Sequence, residues 1–309
     1  MTDETEKADE TKGTRERRLG RLLDAAVTPR NETDEILYQH SVLCQTTLPY
    51  RNPGDDTRTW KRTNGAVHLA ISAGLALHPE QGELVEIGLP YGPKSRLILA
   101  HLNTEALRQG ASIIEVGASL TGFVKRLGLD PKGRNVGIIK DQLARLAASR
   151  ITFGTITDGR ALTINSQIVT AFNLWFPKED GQRVLWPSTV RLSPEYFESL
   201  TKHAVPLDER ALAALSGSAM ALDVYAWLAQ RLHRIDWGKR VFVPWPALHD
   251  QFGWEYDRVR DFRRVFQQTL RVVHSQYRAA DVELDLRGMT LRRSPTPVKG
   301  RTGIVVRVP

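Results

Sequence analysis

The spacing of apolar residues changes period twice along this chain, in the same order each time, and that pattern restricts the folds open to it. Residues 118–129, "ASLTGFVKRLGL", place Leu120, Phe123, Val124 and Leu127 at steps of three, one and three, on one face of a short amphipathic helix. The turn formers "DPKGR" (130–134) follow, and helical spacing resumes through Val136, Ile139, Leu143 and Leu146 in residues 135–149. The period then falls towards two. Residues 151–176 tend to alternate, are rich in β-branched side chains and carry "DG" at 158–159, a hairpin signal.

The second half repeats this order without repeating its residues. A short helix is expected over 207–216 and a long one over 216–234, capped by Ser218, with Leu222, Tyr225, Leu228, Ala229 and Leu232 on its apolar face. A strand at 240–245, a compact helix at 246–254, a longer helix at 258–278 and an alternating hairpin at 281–294 complete it. Upstream, 46–64 reads as an irregular arm, 66–75 fits helix and strand equally, and 83–91 reads as a strand stopped by Pro90. Residues 93–110 form a helix with Pro93 near its first turn and Gly110 past its end, and 112–117 a short strand. The expected fold class is α+β, predominantly helical, with tandem winged helix-turn-helix domains at 36–190 and 191–295. A disordered tail over 1–35, with room for a short helix at 15–26, and a second tail over 296–309 flank them.

Composition narrows the chemistry. The formal charge is +8 and the pI about 9.7, while residues 1–12 hold five acids against two lysines, so the remainder is more basic than the total. Such a balance points to a polyanion partner. No apolar run approaches the ~20 residues that cross a membrane, and the charged N-terminus reads as neither signal peptide nor anchor. Cys44 is the single cysteine, so neither a disulfide framework nor a multi-cysteine zinc site is expected, and the expected location is the cytoplasm. No phosphate-binding loop, His-x-His pair, C-x-x-C, H-E-x-x-H or G-x-S-x-G occurs. The expectation is a binding protein with no catalysis, no metal and no cofactor.

The candidate binding residues lie on the last helix of each half. In "RVRDFRRVFQQTLRVVHSQYR" (258–278), Val259, Phe262, Phe266, Leu270, Val273 and Tyr277 form the apolar stripe. The other face carries Arg260, Arg264, Arg271 and Arg278 with Gln267 and Gln268, against one acid, Asp261. Guanidinium groups at that spacing suit phosphates or guanine edges, and glutamine suits adenine; a solvated cationic face is the competing reading. Arg292 and Arg293, on the hairpin that follows, extend the basic surface. In the first half Lys132, Arg134, Asn135, Lys140 and Arg145 stand against Asp141, with Arg134 and Arg145 read as pointing away from the core. Asn135, at the helix start, reads first as an N-cap.

Three segments, "SGSAMALDVYAWLAQRLHR", "FVPWPALHDQFG" and "VRDFRRVFQQTLRVV", in that order, resemble the C-terminal pattern of RepA-type plasmid replication initiators. In the first half "TTLPYRNP", "LPYGPKSRLILAHLNTEAL" and "FVKRLGL" are similar to the same family, so the resemblance spans roughly residues 40–295. It implies two winged-helix domains binding repeated double-stranded sites (iterons) at a plasmid origin. It further implies recruitment of the host initiator ATPase and replicative helicase, and exchange between a homodimer and a monomer. A winged-helix transcription regulator is the alternative, and a nicking or primase-type enzyme a more distant one.

Overall fold

The computed structural model describes residues 36–77, 82–115, 119–157, 160–171 and 189–298. The expected tail over 1–35, the "DG" turn, residues 172–176 of the alternating stretch and most of the tail over 296–309 lie outside these residues. The architecture is mixed α/β. Strand β1 (Ile36–His40) leads into helix α1 (Ser41–Gln45), strands β2 (Thr59–Asn64) and β3 (Val67–Ser72), and a small ribbon of β4 (Leu75–Leu77) and β5 (Leu84–Glu86). Helix α2 (Gly92–Gln109), strand β6 (Ile113–Glu115), and helices α3 (Leu120–Arg126) and α4 (Gly133–Ala148) follow. Next come β7 (Arg150–Thr157), β8 (Arg160–Gln167), β9 (Val169–Ala171), β10 (Thr189–Leu192), α5 (Pro194–His203) and β11 (Ala204–Asp208). The chain continues through α6 (Glu209–Leu215), α7 (Ala219–Arg231), β12 (Arg240–Pro244), α8 (Trp245–Phe252), α9 (Val259–Gln276), β13 (Val282–Leu284) and β14 (Gly288–Arg292).

Two expectations need correction. The arm over 46–64 is not irregular throughout: β2 pairs with β3, and β3 pairs with β7 from Val67↔Thr155 to Ser72↔Arg150. The β7–β8 hairpin is therefore built into a four-stranded sheet, order β2-β3-β7-β8, and does not stand alone. The physical reason is the open edge of β7, which a second hairpin satisfies. With the added strands, helix still exceeds strand, so "predominantly helical" holds only roughly. Elsewhere the local signals hold: Gly110 ends α2 at φ 62, and Ser218 Oγ accepts from Ala221 N–H at the start of α7.

The two halves share one hydrophobic cluster that runs from Leu37 to Leu291. Strand β1 crosses over to pair with β11, and β10, in the sheet order β6-β10-β9, contains the 190/191 boundary drawn from sequence. Arg96 of α2 and Asp223 of α7 form a buried ion pair across the join, Nε–Oδ1 2.6 Å and Nη2–Oδ2 2.7 Å. Arg96 also donates to the carbonyls of Leu48 (2.8 Å) and Gly92 (2.7 Å), which ties the segment before β2 to both halves. No described helix is long and apolar enough to cross a membrane.

His40 closes the same join. Its Nδ1 accepts from Val42 N–H (3.2 Å), its Nε2 faces Ser199 Oγ (3.0 Å), and its ring stacks on Phe153 and Tyr196. Burial, with His203 adding to it, lowers its pKa from 6.5 to about 3. The folded protein keeps the ring neutral while the unfolded chain protonates it near its ordinary value. Stability from this group is therefore whole above pH 6.5 and is lost progressively as pH falls towards 3. Between pH 7 and 5.5 the expected loss is about 1 kcal/mol, measured by urea unfolding, and His40→Gln is expected to flatten that dependence.

Candidate nucleic-acid interface

Helix α9 sits on an aromatic bed. Phe262 and Phe266 are fully buried, with ring centres 5.3 Å apart, and Phe266 meets Phe252 at 5.8 Å and Trp245 at 5.9 Å. Leu270, Val273 and Tyr277 continue the stripe into the core. The α8–α9 connection needs a glycine: a Cβ on Gly253 would lie 2.6 Å from the His249 ring and 2.7 Å from that of Phe262. The hairpin β13–β14 belongs to a sheet ordered β12-β14-β13, whose strands β12 and β14 pack against α8. Its turn is held by Asp285, whose carboxylate accepts from the N–H groups of Arg287 (2.7 Å) and Gly288 (2.8 Å) and whose carbonyl accepts from Trp245 Nε1 (3.0 Å).

That bed fixes which side chains face out. Arg260, Arg264, Gln268 and Arg271 are exposed and follow one another at steps of four, four and three, a single stripe along the helix. None of the three arginines makes an ion pair among the described residues. Gln267 is half-buried and stands off this stripe; Arg278 is exposed but lies past the helix end. Arg263, missed from sequence, lies 4.9 Å over the Trp245 ring and braces the helix.

In the first half Arg134 is exposed and makes no ion pair among the described residues, and the exposed Lys132 pairs with Asp130 at 3.1 Å. Asn135 is not the N-cap. The helix starts at Gly133, and Asn135 Nδ2 instead donates to the Asp130 carbonyl (2.8 Å), securing the α3–α4 turn. Lys140 is half-buried with no hydrogen-bond partner at Nζ among the described residues, and desolvation lowers its pKa.

Three residues expected at the interface are engaged by partners within the chain. Arg145 does not point away from the core: its side chain is 13% exposed, its Nε donates to Asp141 at 2.9 Å, and its Nη1 to the Leu89 carbonyl at 3.2 Å. Arg292 is neutralised by Asp281 (2.9 Å) and Glu283 (2.7 Å) across its own hairpin. Arg293 donates to the Ile235 carbonyl (2.9 Å) and stacks over Trp237. Among the described residues no cluster of His, Cys, Asp or Glu is arranged to hold a metal.

Comparison with known proteins identifies the family of the chain. A family model described as "Plasmid encoded RepA protein" matches residues 89–245, just over half of the chain. The chain belongs to the plasmid-encoded RepA family. The RepA segment runs from the approach to α2 through β12, and so contains both the α3–α4 pair and the Arg96–Asp223 join; α9 and its hairpin lie beyond it. Two solved structures also align with this RepA-family chain. "Crystal structure of the RctB domains 2-3, RctB-155-483" is 12% identical with a TM-score of 0.47, covering 79% of this chain and 85% of that one. "Crystal structure of SeMet derivatives of domain2 and domain 3 of RctB" is 10% identical with a TM-score of 0.48, covering 90% and 99%. A search of curated proteins gives no match.

Proposed function

We propose that this RepA-family chain initiates plasmid replication by binding double-stranded repeats at the origin, without catalysis of its own. In this reading α7, α8, α9 and the β12-β14-β13 sheet form a winged helix-turn-helix. Helix α9 enters the major groove and the Asp285–Gly288 turn reaches the flanking backbone. The first half presents α4 in the same way, with its hairpin stiffened by β2 and β3. The proposal includes recruitment of the host initiator ATPase and helicase, and a homodimer as the resting form, for which the resemblance to the family is the support.

The observation that carries the proposal is the exposed stripe of Arg260, Arg264, Gln268 and Arg271, whose arginines lack carboxylate partners among the described residues. Cations left unmatched on a rigid helix beside a hairpin are suited to phosphates and guanine edges. The α4 face is weaker, with Arg134 and Lys132 as its exposed cations.

Arg264→Ala and Arg271→Ala are each expected to weaken binding to an origin fragment about tenfold. Each should also reduce the slope of log K against log salt by about 0.9. Fluorescence anisotropy over a salt series measures both. Parental affinity and slope in both variants would remove α9 from the interface. Supercoiled origin DNA incubated with the protein and Mg²⁺ is expected to stay un-nicked.

A further inference from the structure

The turn that leads from α7 into β12 holds an aromatic ring out in solvent. Lys239 N–H closes it on the Asp236 carbonyl at 3.1 Å, and Gly238, at φ 74, takes the left-handed position that leaves Trp237 at the corner. Trp237 is 83% exposed. The Arg293 guanidinium lies 4.8 Å from its ring centre and is fixed from behind by its bond to the Ile235 carbonyl (2.9 Å). One face of the indole is thus backed by a cation, while the other is open. Indole rings usually bury most of their surface, so a glycine turn and an arginine that together display one form a prepared arrangement.

The segment that carries the ring is cationic, with Arg234 three residues before the indole and Arg240 three residues after it. Arg234 and Arg240 are exposed and make no ion pair among the described residues. The nearby acids are already matched: Asp236 by Lys239 at 2.7 Å, and Asp281 and Glu283 by Arg292. The turn is also remote from the tip of the β13–β14 hairpin. Arg240 pairs with Arg292 at one end of β12 and Pro244 with Gly288 at the other, about 13 Å away at strand rise. Along β12, Phe242 is a second half-exposed ring, with Arg287 5.8 Å from its centre.

We propose that Trp237, backed by Arg293 and flanked in sequence by Arg234 and Arg240, is a stacking platform for single-stranded DNA, separate from the duplex-binding stripe of α9. An open π-face beside unmatched guanidinium groups suits an unstacked base and its phosphates. In a duplex both faces of each base are covered by neighbours, so the ring would find no partner without a kink. The site would hold a strand exposed beside the duplex that the protein grips.

The test is anisotropy with the full chain and an oligothymidylate of about twenty nucleotides, longer than one stacking site requires. A duplex origin fragment is titrated in parallel. Trp237→Ala is expected to weaken oligothymidylate binding at least about fivefold, the lower end for one lost base stack, with duplex affinity unchanged. Trp237→Phe should retain most of the affinity, and Arg240→Ala should flatten the salt dependence for the oligomer alone. The parent's indole fluorescence should be quenched on titration, and the Trp237→Ala protein should lack that component. The proposal is overturned if the parent does not bind the oligomer, or if Trp237→Ala binds it as the parent does. It is equally overturned if the variant loses oligomer and duplex binding together, or if the indole responds to an acidic peptide and not to the oligomer. Failure of duplex binding in the parent would instead refute the α9 assignment.

Discussion

Asp223→Ala is expected to lower the free energy of unfolding by about 3–5 kcal/mol, because it leaves the Arg96 charge buried without its counter-ion. Both residues are 6% exposed, and two bonds of 2.6 and 2.7 Å join them. Removing the acid leaves a guanidinium whose remaining acceptors are backbone carbonyls and whose escape to water is blocked by the core. Arg96→Met together with Asp223→Leu is expected to cost far less, since replacing both members of a buried pair with apolar groups is often close to neutral. Urea unfolding of the two proteins gives the comparison. Similar losses in both would mean that the site responds to lost volume and not to an orphaned charge. The pair also joins α2, the segment before β2 and α7, so Asp223→Ala should loosen one half against the other. Hydrogen exchange in α2 and α7 should rise before that in α9.

The sequence reveals what local rules control and misses what distant groups decide. Helix α9 was legible because six apolar residues at helical spacing leave few alternatives, and five of the six are buried; Val259, in the first turn, is 36% exposed. The exposed arginines followed from the same geometry. Periodicity reports a face, however, and not the partner that another element brings to it. For Arg145 half the answer was present, since Asp141 lies one helical turn earlier, but the Leu89 carbonyl comes from a loop 56 residues away. Arg292 meets Asp281 and Glu283 only once the hairpin register is set, with Glu283 opposite Thr290. The Arg96–Asp223 join spans 127 residues and had no local signal. Strands β1 and β11, 36–40 and 204–208, are too short and too far apart for alternation to reveal that they pair. Trp237 was legible as a residue but not as an exposed one, because an aromatic near a turn is packed by default.

Phe266→Ala is expected to cost about 3–5 kcal/mol of stability and, separately, to weaken duplex binding. The ring is fully buried between Phe252, Phe262 and Trp245, so truncation opens a cavity under the middle of α9, with Arg264 and Gln268 two residues to either side. Those side chains act only if the helix presents them at a fixed height and rotation, and the aromatic bed supplies that constraint. Phe266→Leu keeps most of the volume and should cost less than half as much. The contrast with Arg264→Ala separates support from contact. The arginine variant is expected to unfold like the parent yet bind with a shallower salt slope, because a phosphate contact is gone. The phenylalanine variant is expected to unfold earlier yet keep the parental slope in whatever binding remains, because its cations are intact but poorly held. Urea unfolding and salt-series anisotropy on both proteins read the two effects apart. A Phe266→Ala protein as stable as the parent would show that α9 does not rest on this bed.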